Sequence, residues 1–165
     1  VRELALGGAD FSVRIPGGGG GAGGVTPAEL AGEPDLTILR DAVTILRRLR
    51  REEEIDLVYF GGVRSGTDTA KLVAMGSMAV ILGVPLGIAA GGEIGANHEM
   101  TFSTNRSDAE RTEAIVNILN ASSQEASMMA RCTGKTNLHN VEPEDLRAIT
   151  NATAEATGVP VAGTL

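Results

Sequence analysis

Two compact apolar runs, residues 55–60 and 78–82, each stop at glycine, and the stretch between them has room for only one short helix. The first run is rich in β-formers around Asp56 and ends at Gly61-Gly62, so it reads as a buried strand; the second ends at Gly83. Between them Ser65 or Thr67 can cap a helix carrying Leu72, Val73 and Met75, which Gly76 ends. A strand, helix, strand succession with so short a crossover sets the two strands parallel and side by side. Their C-terminal loops then face each other. Gly61-Gly62-Val63-Arg64-Ser65-Gly66 and Gly83-Val84 lie 21 residues apart, counted from Gly62 to Gly83, and can aim backbone N–H groups at one point between the strands. A phosphate suits that point, because glycine lets the backbone approach an anion closely, the following helix N-terminus adds partial positive charge, and Arg64 adds a charge-assisted bond. The same glycines would also serve a chain that merely turns at its strand ends; a matched pair one βα unit apart favours the anion.

Around this unit the chain is read as follows. Residues 1–6 are a helix end stopped at Gly7-Gly8, and residues 11–15 a short strand. The run Gly17 to Gly21, with Gly23 and Gly24, is a loop at that strand's end rather than a linker, since only about fifteen residues precede it. Thr26-Pro27-Ala28-Glu29 has the pattern of a capping box with Pro at the first helical position. From Asp35 onward Leu39, Ala42, Val43, Leu46 and Leu49 recur at helical spacing, with Arg40, Asp41, Arg47 and Arg48 opposite, which predicts a long amphipathic helix. Three strands, near Phe11, Asp56 and Val80, are too few for a closed barrel or a comfortable doubly wound sheet. The tail changes character: residues 91–106 are polar and irregular, and residues 109–131 are helical with Ile115, Ile118, Leu119 and Met129 on one face until Gly134. Glu142-Pro143-Glu144-Asp145 opens a last helix carrying Leu146 and Ile149 and ending near Gly158.

Composition removes several classes of function. Aromatic content of 2 %, no Trp and a formal charge of −7 argue against nucleic acid, which needs stacking surfaces and clustered cations. Arg47, Arg48, Arg50 and Arg51 are answered at once by Glu52, Glu53 and Glu54, the pattern of a solvated helix face. One cysteine, Cys132, forms no intrachain disulfide and supplies no thiolate set for a metal; with no activating base beside it in sequence it reads as a buried, inert thiol. No metal is expected at His98, Glu99, Asn105 and Asp108, whose spacing matches no ligand pattern. Met100, Met128 and Met129 read as packing residues. No stretch is apolar enough to cross a bilayer and the start has no signal character, so the expectation is a cytoplasmic protein without membrane contact; the missing initiator Met points to processing or to a segment of a longer chain.

Residues 60–71, Phe60-Gly61-Gly62-Val63-Arg64-Ser65-Gly66-Thr67-Asp68-Thr69-Ala70-Lys71, followed by Met75-Gly76-Ser77-Met78-Ala79-Val80-Ile81-Leu82-Gly83, resemble the last two strands of FMN-dependent β/α barrels, a pattern shared with IMP dehydrogenase and type 2 isopentenyl diphosphate isomerase. The glycine-rich loop and the segment from Cys132-Thr133-Gly134-Lys135-Thr136-Asn137-Leu138-His139-Asn140 through Val141-Glu142-Pro143-Glu144-Asp145-Leu146 narrow the resemblance to the glutamate synthase family, in its archaeal-type members and the N-methylglutamate synthase large subunit. The resemblance implies an α/β fold, the C-terminal part of a TIM-type (β/α)8 barrel with appended C-terminal helices. Residues 1–92 would be the partial FMN-binding barrel, and residues 93–165 the connecting loop and helical extension. It further implies an oxidoreductase that makes glutamate or N-methylglutamate from a 2-oxoglutarate-derived imine, with FMN phosphate held at Gly61, Gly62, Val63, Arg64, Gly83 and Val84. Gly19, Gly20 and Gly21 would belong to the loop over flavin and substrate. Lys135 and His139 would contact substrate or a partner domain, His139 having a helix-start hydrogen bond as its other reading. Where family members carry a cysteine cluster this chain has Gly91-Gly92-Glu93-Ile94-Gly95-Ala96-Asn97-His98, so no iron–sulfur cluster is expected. Another polypeptide, or residues beyond this sequence, would supply the N-terminal barrel half, with amidotransferase or reductase subunits as further partners. Without that half the chain would be a non-catalytic partial-barrel subunit or a truncated structural protein.

Overall fold

The computed structural model describes residues 35–102 and 105–164. The expected strand at 11–15, the loop holding Gly19, Gly20 and Gly21, and the capped turn at 26–29 lie outside the described residues. Helix α1 (Thr37–Leu49) follows the predicted amphipathic stretch and buries Leu39, Ala42 and Leu46. The Asp35 carboxylate starts it by accepting the Thr37 N–H at 2.9 Å and the Thr37 hydroxyl at 2.6 Å. It ends at Arg50, a non-glycine residue at φ 55°, whose left-handed turn lets Arg51 N–H reach the Leu46 carbonyl at 3.0 Å.

Strands β1 (Val58–Phe60) and β2 (Ala79–Ile81) pair in parallel, Val58 with Ala79, Tyr59 with Val80 and Phe60 with Ile81. Helix α2 (Gly66–Ala74) is the predicted crossover. It stops at Gly76, φ 104°, where a Cβ would lie 2.9 Å from Val43 Cγ2, so the turn packs directly on α1. Tyr59, Val63, Leu39, Leu72 and Met75 make the core between the sheet and its helices, with Val80, Leu82 and Leu146 beside them. The first strand was expected to be buried; on one face of the sheet its Tyr59 is. The other face leaves Val58 52 % and Ile81 50 % exposed, so among the described residues the sheet is covered on one side only.

After β2 the chain forms a short helix, α3 (Val84–Ala89), then an antiparallel hairpin of β3 (Gly92–Ile94) and β4 (Met100–Phe102). The irregular loop expected at 91–106 is therefore part hairpin, turned through His98 at φ 60°. Met100 is buried against Gly87 and Gly92, where added Cβ atoms would fall 2.3 and 2.9 Å from its sulfur.

Helix α4 (Asp108–Cys132) opens on a capping box, with Ser107 N–H donating to Glu110 at 2.7 Å and Glu110 N–H to Ser107 at 3.3 Å. Of the predicted row of large side chains Ile115, Ile118 and Met129 are half-buried, but the closest contact lies at smaller residues of the same helix. The small residues Ser122, Ala126 and Ala130 are buried, whereas Leu119 stays 43 % exposed. Small side chains win here because they let α4 approach α2 to backbone contact: a Cβ on Gly66 would lie 2.0 Å from the Ser122 carbonyl oxygen and 2.6 Å from Ala126 N. Two expectations fall with this register: Met128 is exposed rather than packed, and Cys132 is an exposed thiol.

The single last helix is also corrected. Pro143–Asp145 is one 3₁₀ turn, opened by the Asp145 carboxylate accepting the Glu142 N–H at 3.0 Å and ended where Leu146 turns extended at ψ 153°. Ile149 is left in solvent. A new cap at Thr150, accepting the Thr153 N–H at 3.1 Å, starts α5 (Asn151–Thr157), which ends as expected at Gly158. No described helix is long and apolar enough to cross a membrane.

Candidate functional site

The register of β1 and β2 ends the two strands level, at Phe60 and Ile81, so the chain leaves both at the same edge of the sheet. On the β1 side it passes through Gly61 at φ 134° and Gly62 at φ 65°, conformations that side-chain-bearing residues rarely adopt. Gly62 and Val63 donate no hydrogen bond to another described residue. Val63 is 1 % exposed as a whole residue and anchors the loop in the core. On the β2 side Gly83 immediately precedes α3, so Val84 and Pro85 form the first turn.

Between these loops and α2 lies a cleft of about 810 Å³, lined on one wall by Gly61, Gly62, Val63 and Arg64, on another by Val84, Pro85 and Ile88, and at its back by Tyr59, Leu72 and Met75. Its volume falls in the range of small-molecule sites. Of the sequence-predicted loop residues, Gly61, Gly62, Val63, Arg64 and Val84 line this cleft and Gly83 does not. Lys135 and His139 do not join them: the His139 ring meets the Met78 carbonyl at 3.0 Å, at the N-terminal end of β2, and Lys135 bridges Glu142 at 3.4 Å and Asp145 at 3.6 Å. The His139 backbone N–H is capped by Asn137 Oδ1 at 3.1 Å.

Two carboxylates that the sequence reading passed over govern the first loop. Asp68 accepts the Arg64 backbone N–H at 3.2 Å and its guanidinium at 2.9 and 3.3 Å, and stands 3.7 Å from Lys71 Nζ. Burial alone would raise the Asp68 carboxyl, but the Arg64 hydrogen bonds and the two cations outweigh it and hold it below its usual value. Glu125, on α4, accepts the Gly66 N–H at 2.8 Å and the Thr67 hydroxyl. The Thr67 hydroxyl contributes most to holding its carboxyl low, with further help from backbone N–H groups of Gly66 and Thr67. The N-terminus of α2, expected to face a bound anion, is therefore already taken by a carboxylate of the protein. The i, i+4 spacing of Arg64 and Asp68 was visible as a helix pair; Glu125 had no local signal. Tyr59 was also missed. It is 5 % exposed, its hydroxyl has no partner among the described residues, and burial first, then the charge of Asp35, raises it.

Residues 36–110, which contain both loops, match the model of the FMN-dependent dehydrogenases. That segment is similar to this family. Over 164 residues the chain is 34 % identical to a glutamate synthase large subunit-like protein of Rhizobium meliloti (strain 1021), spanning 82 % of this chain and 37 % of that protein. It is 29 % identical over 112 residues to the pre-mycofactocin synthase of Mycolicibacterium smegmatis, spanning 67 % of this chain and 23 % of that one. It is 40 % identical over 62 residues to the peroxisomal (S)-2-hydroxyacid oxidase GLO3 of Arabidopsis thaliana, spanning 36 % of this chain and 16 % of that one. The chain thus spans well under half the length of these relatives. The resemblance to an FMN-binding, glutamate synthase-like domain stands, with FMN as the cofactor of the FMN-dependent dehydrogenase segment.

Proposed function

We propose that this chain supplies the phosphate-binding, C-terminal part of a (β/α)8 barrel in an FMN-dependent oxidoreductase of the glutamate synthase kind, forming glutamate or N-methylglutamate from a 2-oxoglutarate-derived imine. The observation that carries the reading is the convergence of two glycine loops from adjacent parallel strand ends on one cleft, within the segment that matches the family. The residues present suit a phosphate: Gly61 and Gly62 hold conformations that bring bare backbone to the cleft, and the N–H groups of Gly62 and Val63 donate to no other described residue. FMN, when bound, supplies hydride chemistry. The chain's own part is to fix the phosphate through Gly61, Gly62, Val63, Gly83 and Val84, with Arg64 turned from Asp68 to the anion.

Val58 and Ile81, exposed on the inner side of the sheet, support a barrel completed by further strands. An N-terminal barrel half, in a partner polypeptide or a longer chain, would cover them. Substrate binding, through the loop of Gly19, Gly20 and Gly21, and electron supply from amidotransferase or reductase partners belong to that assembly.

Titrating the chain, alone and with the completing polypeptide, with FMN against riboflavin tests this. The expected result is a preference for FMN of at least about tenfold, the worth of one or two hydrogen bonds to a charged group. Equal affinity for both flavins would remove the phosphate site and leave the reading of a non-catalytic partial barrel.

A further inference from the structure

We propose that Glu125 is the positioning residue of the first phosphate loop, so that the C-terminal helix α4 is part of the cofactor site although none of the loop's own residues is on it. The inference rests on the phosphate reading above. Glu125 lies 59 residues beyond Gly66 and outside the family match at 36–110. Its carboxylate accepts both the Gly66 N–H at 2.8 Å and the Thr67 hydroxyl, and so closes the start of α2.

The loop needs such an anchor. Gly61 and Gly62, both at positive φ, have more conformational freedom to lose than any other residue type, and the loop's near end is fixed by β1 and by Val63 in the core. Its far end is the first turn of α2, whose N–H groups have no partner within the helix. Glu125 takes that role, and the backbone contact of Gly66 with Ser122 and Ala126 brings α4 close enough for a side chain to reach. Held at both ends, the backbone of Gly62 and Val63 is set before any ligand arrives, and preorganisation of that sort raises affinity. The carboxylate sits at the far end of the loop, with its oxygens taken by the Gly66 N–H and the Thr67 hydroxyl, and it does not line the cleft, so it orders the loop from outside the proposed phosphate site.

The test uses the full chain with its completing polypeptide, and Glu125→Ala, Glu125→Gln and Thr67→Val. FMN affinity should fall about tenfold in Glu125→Ala, the scale of losing hydrogen bonds to a charged group, and less in Glu125→Gln and Thr67→Val, while riboflavin affinity stays unchanged. A generally loosened fold would weaken both flavins alike. In the ligand-free protein, amide exchange at Gly62, Val63 and Arg64 should quicken in Glu125→Ala while that of α1 holds. Thr67→Val removes a single hydroxyl and keeps the helix start, so it carries the test if Glu125→Ala fails to fold. Unchanged or tighter FMN binding together with wild-type exchange at 62–64 would overturn the proposal. Should the wild type bind FMN and riboflavin equally, the phosphate reading fails, and the exchange measurement still decides whether Glu125 sets the loop.

Discussion

The loop that leaves β1 and the loop that leaves β2 start from level strand ends and line one cleft, but they are held by different means. The first passes through two glycines at positive φ and is tied at its far side by Asp68 and Glu125. The second is short, has Gly83 at an ordinary φ of −103°, and carries no ionisable group from Gly83 to Ala90. Its helix α3 is held from behind instead, by Met100 against Gly87 and by Arg106 and Arg111 donating to the Ala89 and Ala90 carbonyls at 3.1 and 2.7 Å. One side of the site is thus set by charge and backbone strain, the other by packing.

The largest break in that contrast comes from Gly66→Ala. The new Cβ would meet backbone atoms of α4 at 2.0 and 2.6 Å, which no side-chain rotation relieves, so α4 must move away and take Glu125 with it. Overpacking of this kind costs about 3 kcal/mol. Urea unfolding should show the loss, and a wild-type midpoint would mean that α4 does not seat on the first loop.

Next comes Gly62→Val. At φ 65° a β-branched residue is strained by roughly 1–3 kcal/mol, and the residue lines the cleft proposed to hold the anion. Gly83→Ala makes the matching change on the second loop, where φ is ordinary, and should leave stability near wild type. Equal losses in the two variants would erase the distinction between the loops.

How far this was legible follows the same division. The βα unit was readable because its signals are local: apolar runs closed by glycine, helical spacing in α1, and a spacing that forces parallel strands. Other elements gave weaker signals. The β3–β4 hairpin has three-residue strands carrying Glu93 and Thr101, too short and polar to show alternation. On α4 the predicted row was right for Ile115, Ile118 and Met129, which are half-buried, but the closest contact went unread because large apolar side chains outweigh Ser122, Ala126 and Ala130 in any periodicity, although closeness to Gly66 selects the small ones. The last helix was drawn too early because Glu142-Pro143-Glu144-Asp145 carries a genuine start signal, but the turn it opens ends at once where Leu146 becomes extended. At the site, the residues of the two loops were legible and the groups that fix them were not: Asp68 was passed over although it lies four residues from Arg64, and Glu125 had no local signal, since its partners come from another element.

Acid separates the two loops more gently. In the folded chain the Asp68 carboxyl is held below its ordinary 3.8, so its pairing with Arg64 contributes stability present in full above about pH 5 and lost as pH falls through 3.8 towards the folded value. Asp68→Asn should therefore flatten the stability curve across that window. Amide exchange should quicken there at residues 64–67 and not at Gly83 to Ala90. Parallel quickening in both loops would show that a shared opening, rather than the carboxylates, responds to acid.

The smallest structural effect is expected from Arg64→Ala. The Arg64 side chain is 81 % exposed while Asp68 is 16 % exposed, and a pair whose cation stands in solvent contributes little to stability. Melting should stay at the wild-type temperature. Binding is where this variant informs: in the ligand-free chain the guanidinium is spent on Asp68, so it helps a phosphate only by leaving that carboxylate. If it does, Arg64→Ala weakens FMN and spares riboflavin, whereas Asp68→Asn, which frees the arginine beforehand, strengthens FMN. If both variants bind FMN as the wild type does, the anion is held by backbone alone, and the first loop resembles the second in how it binds while differing in how it is held.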